Sequence, residues 1–193
     1  MQTARLYYDY VDPGSFLVER TVAAMSAELH LAIERVPFEG TPPPEPLVEV
    51  SGPGWRSFWD GATRMAAEEG VTLARPRLVP WTRKAHELAL HAREHDRFDA
   101  VHAALFDAFL LQGKDLGRVD VLLDLAVAHG LDRSATKAVL DVDRHAPAVL
   151  DARADAERVG VRGVPTLLVG RAKLEGFRGR DVTLAFLRGA LAT

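Results

Sequence analysis

The chain has no cysteine among its 193 residues. Without a thiolate to attack a disulfide, dithiol–disulfide exchange is excluded by composition, and no disulfide stabilises the fold. The absence does not report the redox compartment. A strong charge of one sign is also lacking. Lys and Arg number 24 against 27 Asp and Glu, a net charge of −3, with no Lys/Arg cluster. No nucleic-acid partner is therefore expected. No apolar run approaches the roughly 20 residues of a membrane span, so no membrane partner is expected. No charged segment followed by an apolar one precedes the first strand-like stretch, and a cytoplasmic location is the expectation. Internal repeats and low-complexity tracts are absent as well.

What remains is the composition of a soluble globular domain, 48% hydrophobic and 26% charged. The length suits one domain over residues 1–193 with a sizeable core. Leu6-Tyr7-Tyr8-Asp9-Tyr10-Val11 reads as a buried strand, Ser15 to Leu29 as a helix, and Leu31 to Val36 as a second strand. Strand, helix, strand in so short a span is a βαβ unit, which implies a parallel pair. Pro37 to Gly54 holds five prolines after Pro37 and three glycines, and reads as a stiff, extended loop. Trp55, Phe58 and Trp59 follow it, either anchoring the loop in the core or forming a ligand platform.

From Thr82 to Val159 the apolar spacing is helical. Ala85, Leu88, Ala89 and Ala92 form one stripe, with Thr82 as the expected N-cap. Phe98, Val101, Leu105 and Phe109 form the next; Val119, Leu122, Leu123 and Ala126 another, stopped at Gly130. A short helix spans Ser134 to Leu140, and Val149, Ala152, Ala156 and Val159 carry the last. These helices read as an insertion over 55–159, because both flanks are needed to complete one sheet. Thr166 to Val169, a turn at Gly170 and Ala172 to Phe177 read as an antiparallel hairpin, and Asp181 as the cap of a final helix.

This order, with Gly163-Val164-Pro165-Thr166 opening the hairpin, resembles the DsbA-like branch of the thioredoxin superfamily. The resemblance covers nearly the full chain. It rests also on Asp9 to Leu17, Thr82 to Ala89, and Phe109 to Leu116. The branch holds DsbA and FrnE disulfide oxidoreductases, 2-hydroxychromene-2-carboxylate isomerases and kappa-class glutathione transferases. It implies an α/β thioredoxin-like fold, βαβ–ββα, with a large helical insertion. The oxidoreductases carry Cys-Pro-x-Cys at the first turn, and the glutathione-dependent members resemble Ser-Pro-x-Ser there. Here the turn is Asp12-Pro13-Gly14-Ser15, which keeps the proline and matches neither.

The candidate catalytic residues are Asp12 and Ser15. Backbone N–H groups at a helix N-terminus stabilise a thiolate, and Ser15 has a hydroxyl to donate to it. Asp12 has two readings: an N-cap with Pro13 at the first helical position, or a partly buried acid or base with a raised pKa. The candidate cofactor-binding residues are Val164, Pro165 and Asp181, with glutathione as the implied cofactor. The resemblance implies a cis Val164–Pro165 bond, either as a fold-determining turn or as a backbone edge that pairs with a peptide or glutathione. Phe177-Arg178-Gly179-Arg180-Asp181 is similar to the turn that holds the glutamyl end of glutathione. His91-Ala92-Arg93-Glu94-His95 matches a zinc-protease spelling, but the helix is charged, so a solvated face and no metal are expected. His30 and His129 fall near helix C-termini, where a cation suits the dipole. The expected function is a glutathione-dependent isomerase or transferase of the chromene-isomerase type, with a homodimer admissible. The alternative is an inactive DsbA-like module that binds peptides or small molecules.

Overall fold

The computed structural model describes residues 3–29 and 31–191. His30 lies outside the described residues. The order is β1 (Thr3–Tyr8), α1 (Pro13–Leu29), β2 (Ala32–Pro37), α2 (Pro53–Glu68), α3 (Arg83–Glu94), α4 (Phe98–Leu110), α5 (Val119–Ala128), α6 (Arg133–Asp141), α7 (Ala146–Arg158), β3 (Thr166–Val169), β4 (Ala172–Glu175) and α8 (Arg180–Leu191). The sheet runs β2-β1-β3-β4, with β1 parallel to β2 and antiparallel to β3. This is the thioredoxin-like α/β arrangement, with helices α2 to α7 between β2 and β3. None of the described helices is long and apolar enough to cross a membrane.

The central strand β1 is covered on both faces, and its alternation shows how. Ala4, Leu6 and Tyr8 face the main core, while Tyr7 faces a smaller cluster with Phe38, Ala156 and Val161. Successive strand side chains point to opposite faces, so one strand serves two cores. Helices α1 and α8 pack together on the sheet, and α7 packs against β2. Within the insertion α3 contacts α4, α5, α6 and α7, and Ala85, His86, Glu87, Leu88, Ala89, His91 and Ala92 on it are buried. A helix enclosed by four others has little solvated face left. The expected solvated face of the His91–His95 motif forms only in part: Arg93, Glu94 and His95 are exposed, but His91 is only 3% exposed.

Several boundaries differ from the sequence reading. The first strand ends at Tyr8, and the chain turns at Tyr10 and Val11. Tyr10, beyond the strand, keeps the apolar pattern running because the turn that carries it is also packed into the core. The segment with Trp55, Phe58 and Trp59 is a helix, α2, entered through Pro53 at its first position. Proline there has no N–H to lose, so a breaker-rich stretch hides a helix start. Trp59 is buried and stacks on Trp55 at 5.2 Å between ring centroids, whereas Phe58 is exposed. Thr82 occupies the N-cap position of α3, but its side chain makes no capping bond. Asp181 lies inside the first turn of α8, which begins at Arg180, so it is not the cap residue.

Phe106 on α4 joins the insertion to the sheet. Its ring stands 4.9 Å from Tyr10, 5.9 Å from Tyr8 and 5.7 Å from Phe16. Phe106→Ala is expected to lower the unfolding free energy by about 3–5 kcal/mol, since the cavity lies between elements that cannot all collapse into it. Urea denaturation measures this, and a loss below about 1 kcal/mol would contradict the packing described.

Candidate functional site

The turn after β1 is built by Asp9, Asp12 and Ser15. Asp12 precedes Pro13, the first residue of α1, so it stands at the N-cap. Its Oδ2 accepts from the Ser15 N–H at 2.6 Å and from the Ser15 hydroxyl at 2.7 Å. Ser15 is fully buried, and its Oγ in turn accepts from the Asp9 N–H at 3.3 Å. The hydroxyl proton of Ser15 is thus directed at Asp12 and away from the exterior. Burial pushes the Asp12 carboxyl up to about 6 from its ordinary 3.8, against the lowering effect of the Ser15 hydrogen bonds, with the neighbouring Asp9 adding to the rise. Both readings of Asp12 coexist: it caps the helix and is a carboxyl that titrates close to neutrality.

Pro165 closes the turn from the other side. Val164–Pro165 is cis, as is Pro43–Pro44 in the loop after β2. A Cβ on Gly14 would lie 2.8 Å from Pro165 Cδ and 3.2 Å from Asp12 Oδ2, so the turn and Pro165 are in direct contact and only glycine fits between them. Beside Pro165 runs a groove of about 250 Å³ bordered by Arg162, Val164, Thr166, Glu175 and Gly176. Among the described residues no hydrogen bond reaches the backbone N–H or C=O of Val164. The fold therefore brings Asp12, Ser15, Val164 and Pro165 together. Asp181 is exposed on α8 and does not border this groove.

Behind the turn lies a buried polar network that the sequence reading missed. Asp9, 1% exposed, accepts from the Gly40 N–H at 2.8 Å through Oδ2, and its Oδ1 is 3.3 Å from His86 Nε2. Farther in, the Tyr10 hydroxyl is 2.9 Å from His102 Nδ1 and 3.4 Å from the Tyr8 hydroxyl. His102 Nε2 stands 3.6 Å from Glu19, which also accepts two bonds from Arg35 at 2.9 and 2.6 Å. Burial pushes the Tyr8 and Tyr10 hydroxyls up and the His102 imidazolium down. Burial also works to raise Glu19, but His102 and Arg35 outweigh it and hold the carboxyl at about 2. The available signal was position: His86 and His102 sit next to stripe residues Ala85 and Val101, on faces that turn inward.

A larger, mainly apolar cavity of about 450 Å³ lies under the proline-rich loop, between Pro43, Leu47, Leu78 and Trp81, with Arg83 at its edge. Arg83 donates twice to the buried Glu39, next to the Gly40 that binds Asp9.

Residues 3–190 match the model of the DSBA-like thioredoxin domain. The chain belongs to that family. Within it, this DSBA-like domain is 28% identical over 183 residues to the uncharacterized protein YwbO of Bacillus subtilis (strain 168), covering 92% of each. Its fold is similar to that of a probable DsbA oxidoreductase from Streptomyces coelicolor, with a TM-score of 0.86, 22% identity, and 100% of this chain and 91% of the other covered. It is also similar to a 2-hydroxychromene-2-carboxylate isomerase, with a TM-score of 0.80, 18% identity, and 98% and 96% covered. At these identities the structural likeness establishes the fold of this DSBA-like domain and not its chemistry.

Two predictions follow from the turn. A carboxyl whose pKa is raised on folding adds stability in full below pH 4, and that contribution is lost as the pH rises through about 6. Asp12→Asn keeps an acceptor for the Ser15 N–H and carries no charge. It is expected to gain stability relative to the parent between pH 4 and pH 7, as read by urea denaturation; parallel curves would remove the burial argument. Asp9→Ala strands the Gly40 N–H and His86 and is expected to cost about 3–5 kcal/mol, as measured by thermal and urea unfolding.

Proposed function

We propose that this cysteine-free DSBA-like domain is a glutathione-dependent isomerase or transferase of the 2-hydroxychromene-2-carboxylate isomerase type. The observation that carries the proposal is the Asp12 carboxyl, held at a helix N-terminus against Pro165 and titrating at about 6. The positive end of α1 favours one negative charge at this turn. In the free protein near neutral pH that charge sits on Asp12. A thiol brought against this turn would meet a carboxylate able to take its proton, so that the single negative charge would move from Asp12 to sulfur and the two anions would not coexist. In this reading Asp12 would be the general base. Bound glutathione supplies a nucleophilic sulfur that adds reversibly to an electron-poor carbon, with no net oxidation.

The residues present fit such a ligand at its peptide portion. The unpaired N–H and C=O of Val164 offer a backbone edge of the kind used in strand addition. Arg162 and Glu175 flank the groove with opposite charges, suited to a zwitterionic peptide. Asp181 is not needed for this pose, and the glutamyl contact implied by the sequence is replaced by the groove itself.

The second reading is a binding module without chemistry. The burial of Ser15 and the commitment of its proton to Asp12 favour it, since the turn then offers a ligand no hydroxyl donor.

Titration calorimetry separates the two. Reduced glutathione is expected to bind saturably, and S-methylglutathione roughly tenfold more weakly, a difference of about 1.4 kcal/mol. Asp12→Asn should erase the difference between the two ligands. Binding by both ligands alike in the parent protein would support the module, and no heat at millimolar ligand with folded protein would rule out glutathione.

A further inference from the structure

A cluster unrelated to the turn sits at the far end of α3. His91 and Glu94 occupy successive turns of that helix, and His145 immediately precedes α7. His91 Nδ1 is 3.8 Å and His145 Nε2 is 3.7 Å from the same oxygen of Glu94, Oε2. One donor atom from each residue falls within 4.8 Å of the other two. The distances are too long for hydrogen bonds. Both ring nitrogens are buried and have no hydrogen-bond partner. His91 is 3% exposed, so a polar atom nine-tenths enclosed points at the centre of the cluster with nothing to bond.

We propose that His91, Glu94 and His145 bind one divalent transition-metal ion of the zinc class. Two imidazole nitrogens and one carboxylate oxygen are a zinc-type donor set, whereas magnesium and calcium take oxygen ligands. Metal–ligand bonds of about 2.0–2.2 Å place tetrahedral ligands about 3.4 Å apart. The two observed separations to Glu94 contract to that value by less than an ångström of side-chain movement. The fourth position opens on the exposed side of Glu94, where water completes the shell.

The neighbouring residues hold the ligands from outside the cluster. Neither His91 Nδ1 nor His145 Nε2 has a hydrogen-bond partner to displace. Glu87 accepts from the backbone N–H of His145 at 3.1 Å and fixes that ligand from behind, while Lys84 pairs with Glu87 on the far side. Arg144 approaches the other oxygen of Glu94, Oε1, at 3.5 Å and leaves Oε2 to the metal. The ligand set differs from the His91-x-x-Glu94-His95 spelling. His95 ends α3 as an exposed residue with its ring against that of His91, and His145 from a separate segment takes its place. An ion here ties the C-terminal end of α3 to the start of α7.

The test uses full-length protein without a histidine tag, stripped by chelator. Titration with Co²⁺ is expected to give visible tetrahedral absorption saturating at one equivalent, displaced by Zn²⁺ and unaffected by Mg²⁺. Zn²⁺ should raise Tm reversibly. Glu94→Gln and His145→Asn should each weaken binding roughly tenfold or more, and His95→Ala should bind like the parent. Glu94 is exposed, so its variant keeps the fold even if position 145 does not tolerate change; circular dichroism checks both. Absence of Co²⁺ absorption together with an unmoved Tm overturns the site. Binding that survives Glu94→Gln and His145→Asn but fails in His95→Ala overturns this ligand set.

Discussion

The structure depends on one buried carboxylate at the end of its central strand. Asp9 receives the Gly40 N–H from the loop after β2, faces His86 on α3, and through its backbone N–H holds the hydroxyl of Ser15 on α1. Its carbonyl accepts from Asp12 N at 3.2 Å. Three parts of the chain, the adjoining turn, the loop at Gly40 and the helix carrying His86, are thereby fixed to a single residue that is almost wholly out of water. A charge or dipole taken out of water is tolerated only where it is fully partnered. The requirement to partner Asp9 thus orients the turn, the proline-rich loop and helix α3 together.

That arrangement explains how the turn keeps its shape without a disulfide or thiol. With no cysteine in the chain, a carboxylate and a hydroxyl bond to each other across the four residues Asp12 to Ser15. The interaction is local and self-satisfied, and the helix dipole favours the single charge it carries. The turn holds a carboxyl and a hydroxyl, and beside it the backbone N–H and C=O of Val164 make no hydrogen bond among the described residues. Dithiol–disulfide exchange is excluded, since no cysteine is present.

Much of this was legible in the sequence. The helical stripes at Leu88, Leu105, Leu122 and Val149 are periodic, and each marks a helix that forms. The pairing of the Asp12 turn with Val164–Pro165 was readable because both flank strands of one sheet. Three features were not. Helix α2 begins at Pro53 within a proline-rich stretch, so its start looks like a continuation of the loop. Tyr10 continues the apolar run of β1 past the strand's end, because burial and strand pairing are different constraints. The roles of Asp9, His86, His102 and His145 arise from tertiary contacts between segments that share no motif, and a charged helix gave no sign that four neighbours would enclose it.

Pro165 lies so close to Gly14 that no side chain fits at position 14, so the turn and the approach to β3 are packed against each other. The groove beside Pro165 is present without any ligand. A ligand of this groove would meet a surface whose ordering cost was met during folding, so any selectivity would rest on shape match and not on closure around the guest.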